Sequence, residues 1–186
     1  MVVYTELANS TYLDLTSYRG NEALPNSNLL LSSFTVNVAL VLDRVNDPTA
    51  LLSSPWATRQ AALADQTAIF QAYGADPASY NDVLTALGPG AGGLNIPTVD
   101  QVGANGYVSS VESRTIWVQL NEANFTTLFG ASAALFLAPQ PDAFGNPIIF
   151  WKGNLSLPDT LVNAGVSGIW FDWDALSTPI LADRPT

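Results

Sequence analysis

Residues 32–44, SSFTVNVALVLDR, alternate without a break: Phe34, Val36, Val38, Leu40 and Leu42 point one way, Thr35, Asn37 and Ala39 the other. A two-residue period rich in β-branched side chains predicts a strand with one buried face. Such a strand needs sheet neighbours and a second layer to cover its apolar side, so the other elements are sought around it.

Helices follow directly. In SPWATRQAALADQTAIFQAYG, Ser54 is placed to cap a helix and Pro55 to open it, where the missing N–H costs nothing. Trp56, Leu63 and Phe70 fall at seven-residue intervals and predict one apolar stripe, and Gly74 stands at the end. DPASYNDVLTALG repeats the design, with Asp76 as cap, Pro77 behind it, and Tyr80, Val83, Leu84 and Leu87 along one face up to Gly88. The connector 88–106 carries Gly88, Gly90, Gly92 and Gly93, but these follow a helix and precede no clear one. The strand-loop-helix context of a phosphate loop is therefore missing.

Tyr107–Val111 and Thr115–Leu120 read as a hairpin turning at Glu112-Ser113-Arg114, and Asn121 caps a helix bearing Phe125, Leu128 and Phe129 that Gly130 ends. Ala133–Ala138 reads as one more strand, the apolar run from Asn146 as another, and Pro158–Asn163 as a short helix before Val166–Ile169. The order strand, helices, strand, strand, helix, strand is α+β and predicts a ferredoxin-like split βαβ: an antiparallel sheet with helices on one face only. Residues 1–28 read as an irregular N-terminal arm, 29–171 as the domain, and 172–186 as an extended C-terminal linker.

A half-covered sheet leaves one face open. On Thr115–Leu120, Ile116, Val118 and Leu120 should meet the helices, while Thr115, Trp117 and Gln119 point away. Trp117 there marks either a docking surface or the seat of the N-terminal arm or C-terminal segment.

Composition removes whole classes of chemistry. There are no cysteines and no histidines, which excludes disulfides, thiolate zinc sites, cysteine nucleophiles and histidine-based triads. With 16 acidic against 6 basic residues and a net charge of −10, the phosphate backbone of nucleic acid is not an expected partner. No apolar run approaches the roughly 20 residues of a membrane helix. The first residues lack the layout of a signal peptide, so export would need a signal outside this sequence. GASAA (130–134) and GVSGI (165–169) set serines near glycines without the G-x-S-x-G elbow. Asp172 and Asp174 lie two apart in a segment that builds no cleft by itself. Three sequons, at Asn9, Asn124 and Asn154, permit glycosylation in a eukaryotic secretory route.

Across nearly the whole chain the pattern resembles the propeptide, the pro-kumamolisin activation domain, of the sedolisin family of serine-carboxyl peptidases. The resemblance is carried by LPNS in the arm, FTVNVALVLDR, IFQAYGADPASYNDVLTAL, YVSSVESRTIWVQLNEANFTTLFG and LSLPDTLVNAGVSGIWFD, in that order. It implies a secreted precursor in which this segment acts as intramolecular chaperone and inhibitor of its cognate catalytic domain until acid promotes its removal. The family's catalytic Glu, Asp and Ser, and the calcium the family implies, belong to that absent domain; its Gly-Thr-Ser motif has no match here, so no catalytic residue and no cofactor are assigned to this chain. Under this reading Trp117, Thr115 and Gln119 dock on the protease. The tail, with Asp172, Asp174, Asp183, Arg184 and Thr186, would occupy the cleft by strand-like pairing, with processing at or near Thr186. With no histidine present, a proton switch on this chain must use Asp or Glu. The readings beside it are a stand-alone ferredoxin-like binding module, a protease inhibitor acting in trans, and a small hydrolase built from scattered Asp, Glu and Ser.

Overall fold

The computed structural model describes residues 2–8, 10, 29–99, 107–137 and 149–177. Along the chain run β1 (Tyr4–Glu6), β2 (Leu29–Leu30), β3 (Thr35–Leu42), α1 (Thr49–Leu52), α2 (Trp56–Leu63), α3 (Gln66–Tyr73), α4 (Pro77–Leu87), β4 (Thr115–Asn121), α5 (Glu122–Phe129), β5 (Phe136–Leu137), β6 (Ile149–Phe150), β7 (Ser156–Pro158), α6 (Asp159–Asn163) and β8 (Val166–Ser177). The protein is mixed α and β with antiparallel pairing, and it divides into two units.

One unit comprises Asn37–Gln119 and Thr160–Asp172. Its sheet has the order β4-β3-β8. The apolar face read in β3 is buried, Val38 and Leu40 fully and Leu42 nearly so, matched by Ile116 and Val118 on β4. The other face is buried too at Ala39 (1 %) and Asn37 (9 %), so mid-strand β3 is covered on both sides rather than on one. β3 and β4 run antiparallel, with the Leu42 N–H donating to the Arg114 carbonyl at 2.8 Å. α4 forms as its cap and stripe predict. The Asp76 carboxylate accepts the Ser79 N–H at 2.9 Å, Pro77 fills the first turn, and Val83 and Leu87 are buried.

The expected strand 107–111 does not form. The far edge of β4 is taken instead by 97–99: Thr98 bridges Val118, the Val99 N–H donates to the Trp117 carbonyl at 2.8 Å, and the Gln119 N–H donates to Pro97 at 3.0 Å. Residues 107–111 keep a single bridge, Ser110 to Thr115, and Ser109 caps the Trp117 N–H with its hydroxyl at 2.9 Å. The hairpin turn itself stands, with Arg114 in the left-handed region at φ 57°.

The long helix expected over 54–74 is broken in two. Asp65 folds its carboxylate onto the Ala68 N–H at 3.0 Å, capping α3 and ending α2, a local bond that competes with helix continuity. Pro55, not Ser54, occupies the cap position of α2 and makes no side-chain cap bond. The stripe drawn through this region is not core: Trp56 is 63 % exposed, Leu63 54 % and Phe70 45 %. The two halves have independent starts, so a seven-residue spacing across the break no longer marks one face.

The second unit comprises Met1–Val36, Leu120–Asp159 and Trp173–Thr186. α5 starts as read, with Asn121 accepting the Asn124 N–H at 2.9 Å, and buries Phe125, Leu128 and Phe129. Phe34 meets Phe125 edge-on at 5.7 Å, and Phe125 meets Phe129 at 4.8 Å. Sheets of order β2-β5-β6 and β1-β7 complete it; of the expected strand 133–138, Phe136–Leu137 form the ladder and the Leu135 carbonyl accepts the Leu31 N–H at 2.8 Å. The start of the expected irregular arm is in fact ordered: Tyr4 pairs Pro158, Glu6 pairs Ser156, and the Tyr4 hydroxyl donates to the Thr127 carbonyl at 2.8 Å. β-branched Val2, Val3 and Thr5 around Tyr4 suit this extended backbone. Residues 11–28 of that arm lie outside the described residues.

Candidate docking face

The face of the β4-β3-β8 sheet opposite Val38, Leu40, Ile116 and Val118 is defined by alternation. β4 contributes Thr115, Trp117 and Gln119, and β3 contributes Asn37, Ala39 and Val41. On β8, a side chain at Gly168 would rest 3.6 Å from the Val41 Cβ, and Asp172 reaches the Tyr107 hydroxyl. Two-residue periodicity then puts Gly168, Trp170 and Asp172 on this same face.

The face is half furnished from within. Tyr107 is buried at 5 % exposure and lies against Trp117, their ring centroids 4.6 Å apart, which leaves the tryptophan half-buried. The Tyr107 hydroxyl donates to the Asp172 carboxylate and accepts from the Asn37 amide at 3.0 Å. Burial, reinforced by the bond to Asp172, pushes the Tyr107 phenol above the usual tyrosine value. Asn37 is thereby a buried polar side chain with a partner, as its 9 % exposure requires. Gln119 is exposed, its amide 3.5 Å from the Asn37 oxygen, and the Thr115 hydroxyl donates to the Val108 carbonyl at 2.7 Å.

The three residues assigned to docking thus share one face, and a second tryptophan on that face is the more exposed. Trp170 is 68 % exposed, whereas Trp117 is partly covered by its own chain. Among the described residues the cover comes from 107–109, through the Tyr107 ring and the Ser109 hydroxyl; residues 11–28 and 178–186 lie outside the described residues. Trp170 was legible in principle, since IWFDWD continues the two-residue period from Val166, but the strand was expected to stop at Ile169.

The tail is corrected in the same way. It does not begin at Asp172, because β8 runs on through Ser177, and the Asp172 carboxylate is tied to the sheet by Tyr107. Alternating aromatic residues favour the strand over an open linker. Asp174 lies within β8, and Asp183, Arg184 and Thr186 lie outside the described residues.

At the end of the sheet an open groove of about 590 Å³ is lined by Val41, Asp43, Arg44, Asp47, Arg114 and Trp170, among others. Arg114 is held there twice by Leu42, through its backbone carbonyl and through its Nη1, which donates to the Leu42 carbonyl at 2.6 Å. Burial first, and the Arg44 charge second, draw the Arg114 pKa below the ordinary arginine value, with Asp43 opposing. Asp47 is held below the usual carboxylate range chiefly by the Thr49 hydroxyl, donating at 2.6 Å, and then by the Thr49 N–H at 2.9 Å.

Among the described residues there is no group of three or more acidic, histidine or cysteine side chains placed to hold a metal, and no helix long and apolar enough to cross a membrane. A scan of protein-family models and a search of curated proteins return no match to the chain.

Proposed function

We propose that this chain is the propeptide of an acid-acting serine-carboxyl endopeptidase of sedolisin type, serving as chaperone and inhibitor of its catalytic domain. The observation that carries the reading is the sheet face bearing Trp170, an aromatic side chain 68 % exposed on strand β8. Exposed tryptophans set on regular elements are the usual anchors of protein interfaces. The sequence resemblance supplies the identity of the partner. The strand order supports it: 97–99, β4, β3 and β8 lie side by side, with α1–α4 between β3 and 97–99 and α5 between β4 and β8. We read that order as the split βαβ, ferredoxin-like plan.

In this reading the Trp170 face packs on the catalytic domain and gives it a template during folding. The chain beyond β8 enters the cleft as an extended strand and blocks substrate. Calcium and the catalytic Glu, Asp and Ser reside in the partner, and the precursor is secreted.

Peptidase activity measured with the chain alone, and then with a sedolisin-type catalytic domain titrated by the chain, tests the proposal. Stoichiometric inhibition that Trp170→Ala weakens at least tenfold is expected. Turnover by the chain alone, or inhibition indifferent to Trp170, would overturn it.

A further inference from the structure

We infer that the groove beside Trp170 is a carboxylate-binding site, and that its ligand is an aspartate or glutamate side chain presented by the partner protein. This rests on the reading that the Trp170 face is the docking face.

The groove brings together two of the chain's 6 basic residues, Arg44 and Arg114, in a molecule carrying 16 acidic ones. Arg44 is exposed and has no hydrogen-bond or ion-pair partner among the described residues. Arg114 is fixed in place by Leu42, and Nη1 is the nitrogen so engaged. Both guanidiniums line the one groove; burial first and the Arg44 charge second lower the Arg114 pKa, while Asp43 opposes them. The groove's own acids already act on the two arginines, since the Arg44 charge helps lower the Asp47 pKa and Asp43 raises that of Arg114. Thr49 engages only the Oδ1 of Asp47, through its N–H and hydroxyl.

The chemistry of the ligand follows. Planar guanidiniums match a carboxylate with paired N–H donors, and the indole of Trp170 offers an apolar wall for the methylene stem of an acidic side chain. A net charge of −10 repels polyanions, so a single carboxylate on a protein surface fits better than a nucleic acid. The groove adjoins the face already given to the partner, with Val41, Gly168 and Trp170 common to both.

Two measurements on the whole chain test this. In the first, arginine Nε–H resonances are followed by NMR while N-acetyl-glutamate amide is added, with N-acetyl-glutamine amide as the neutral control. Arg44 and Arg114 should shift together along one saturating curve with the glutamate compound only. Arg59, whose guanidinium lies over Trp56, should stay unmoved. Flat curves, an equal response to the glutamine compound, or an equal shift at Arg59 would overturn the site. In the second, Arg44→Glu should weaken inhibition of a sedolisin-type catalytic domain at least tenfold, while Lys152→Glu, the same change of charge in the other unit, stays within twofold. Equal effects of the two would overturn the partner assignment. Absence of inhibition by the unsubstituted chain would defeat the propeptide reading, and the titration would then judge the groove alone.

Discussion

Tyr107 ties a loop, the central strand and the middle of β8 to one hydroxyl. Tyr107→Phe keeps the ring on Trp117 but strips Asn37 of its hydroxyl partner and removes one donor from Asp172. Leaving a buried polar group unpaired costs about 1–3 kcal/mol. Urea unfolding of Tyr107→Phe should show a loss of that size with the slope unchanged. The phenol also fixes a pH dependence. Its pKa is raised in the folded chain, so the folded state favours the protonated form. That contribution is complete below the ordinary tyrosine value, about 10, and is lost as pH rises through the higher native value. Stability measured from pH 9 to 12 should therefore fall more steeply in the unsubstituted chain than in Tyr107→Phe; parallel curves would contradict the assignment. Gly74 is a second position where one atom decides. A Cβ there would sit 2.5 Å from the Phe70 carbonyl oxygen and 3.0 Å from that of Val111. Because both obstacles are backbone, Gly74→Ala should cost about 1–3 kcal/mol, the range of an overpacked site, read as a lowered thermal midpoint.

Among the elements, burial separates α4 from the helices before it. Leu87→Ala empties a site with no exposure and should cost about 2–5 kcal/mol, whereas Leu63→Ala on α2 should stay within about 0.5 kcal/mol. Chemical denaturation of the two variants checks the contrast. The same residues show what could be read in advance. Asp76 with Pro77, Asn121 ahead of Phe125, and the alternation from Phe34 to Leu42 are local signals, each sufficient for its element, and each element forms where it was placed. The failures are competitions between segments. Residues 97–99 and 107–111 both suit the free edge of β4, and no local property of Tyr107–Val111 says that Thr98 wins. Asp65 reads equally as a surface residue within one helix or as the cap that divides two. Of the candidate site, Trp117, Thr115 and Gln119 were legible by period two. Trp170 and the Arg44–Arg114 pairing were not, since the first needed the true length of β8 and the second needed the fold.

At the scale of the whole molecule, an acidic chain presents Trp170 on its sheet face, and residues 178–186 follow β8. Because β8 extends to Ser177, the segment that would enter a cleft is 178–186, and removing it should spare the fold while sharply weakening inhibition. A truncated chain that inhibits as well as the full one would refute the cleft-occupying role. Carboxylates that pair with a partner's cations or N–H donors have lowered pKa values in the complex. Their stabilisation is thus present near neutrality and lost as pH falls through those values. With 16 carboxylates and no histidine, release should fall between about pH 5 and 3, starting from the unperturbed carboxylate values. The most direct measurement is the affinity of the full chain for a sedolisin-type catalytic domain, by calorimetric titration at pH 7, 5, 4 and 3. One-to-one binding that is tight at pH 7 and weakens through the acid steps is the predicted result; no binding at pH 7, or an affinity that stays level down to pH 3, would contradict it.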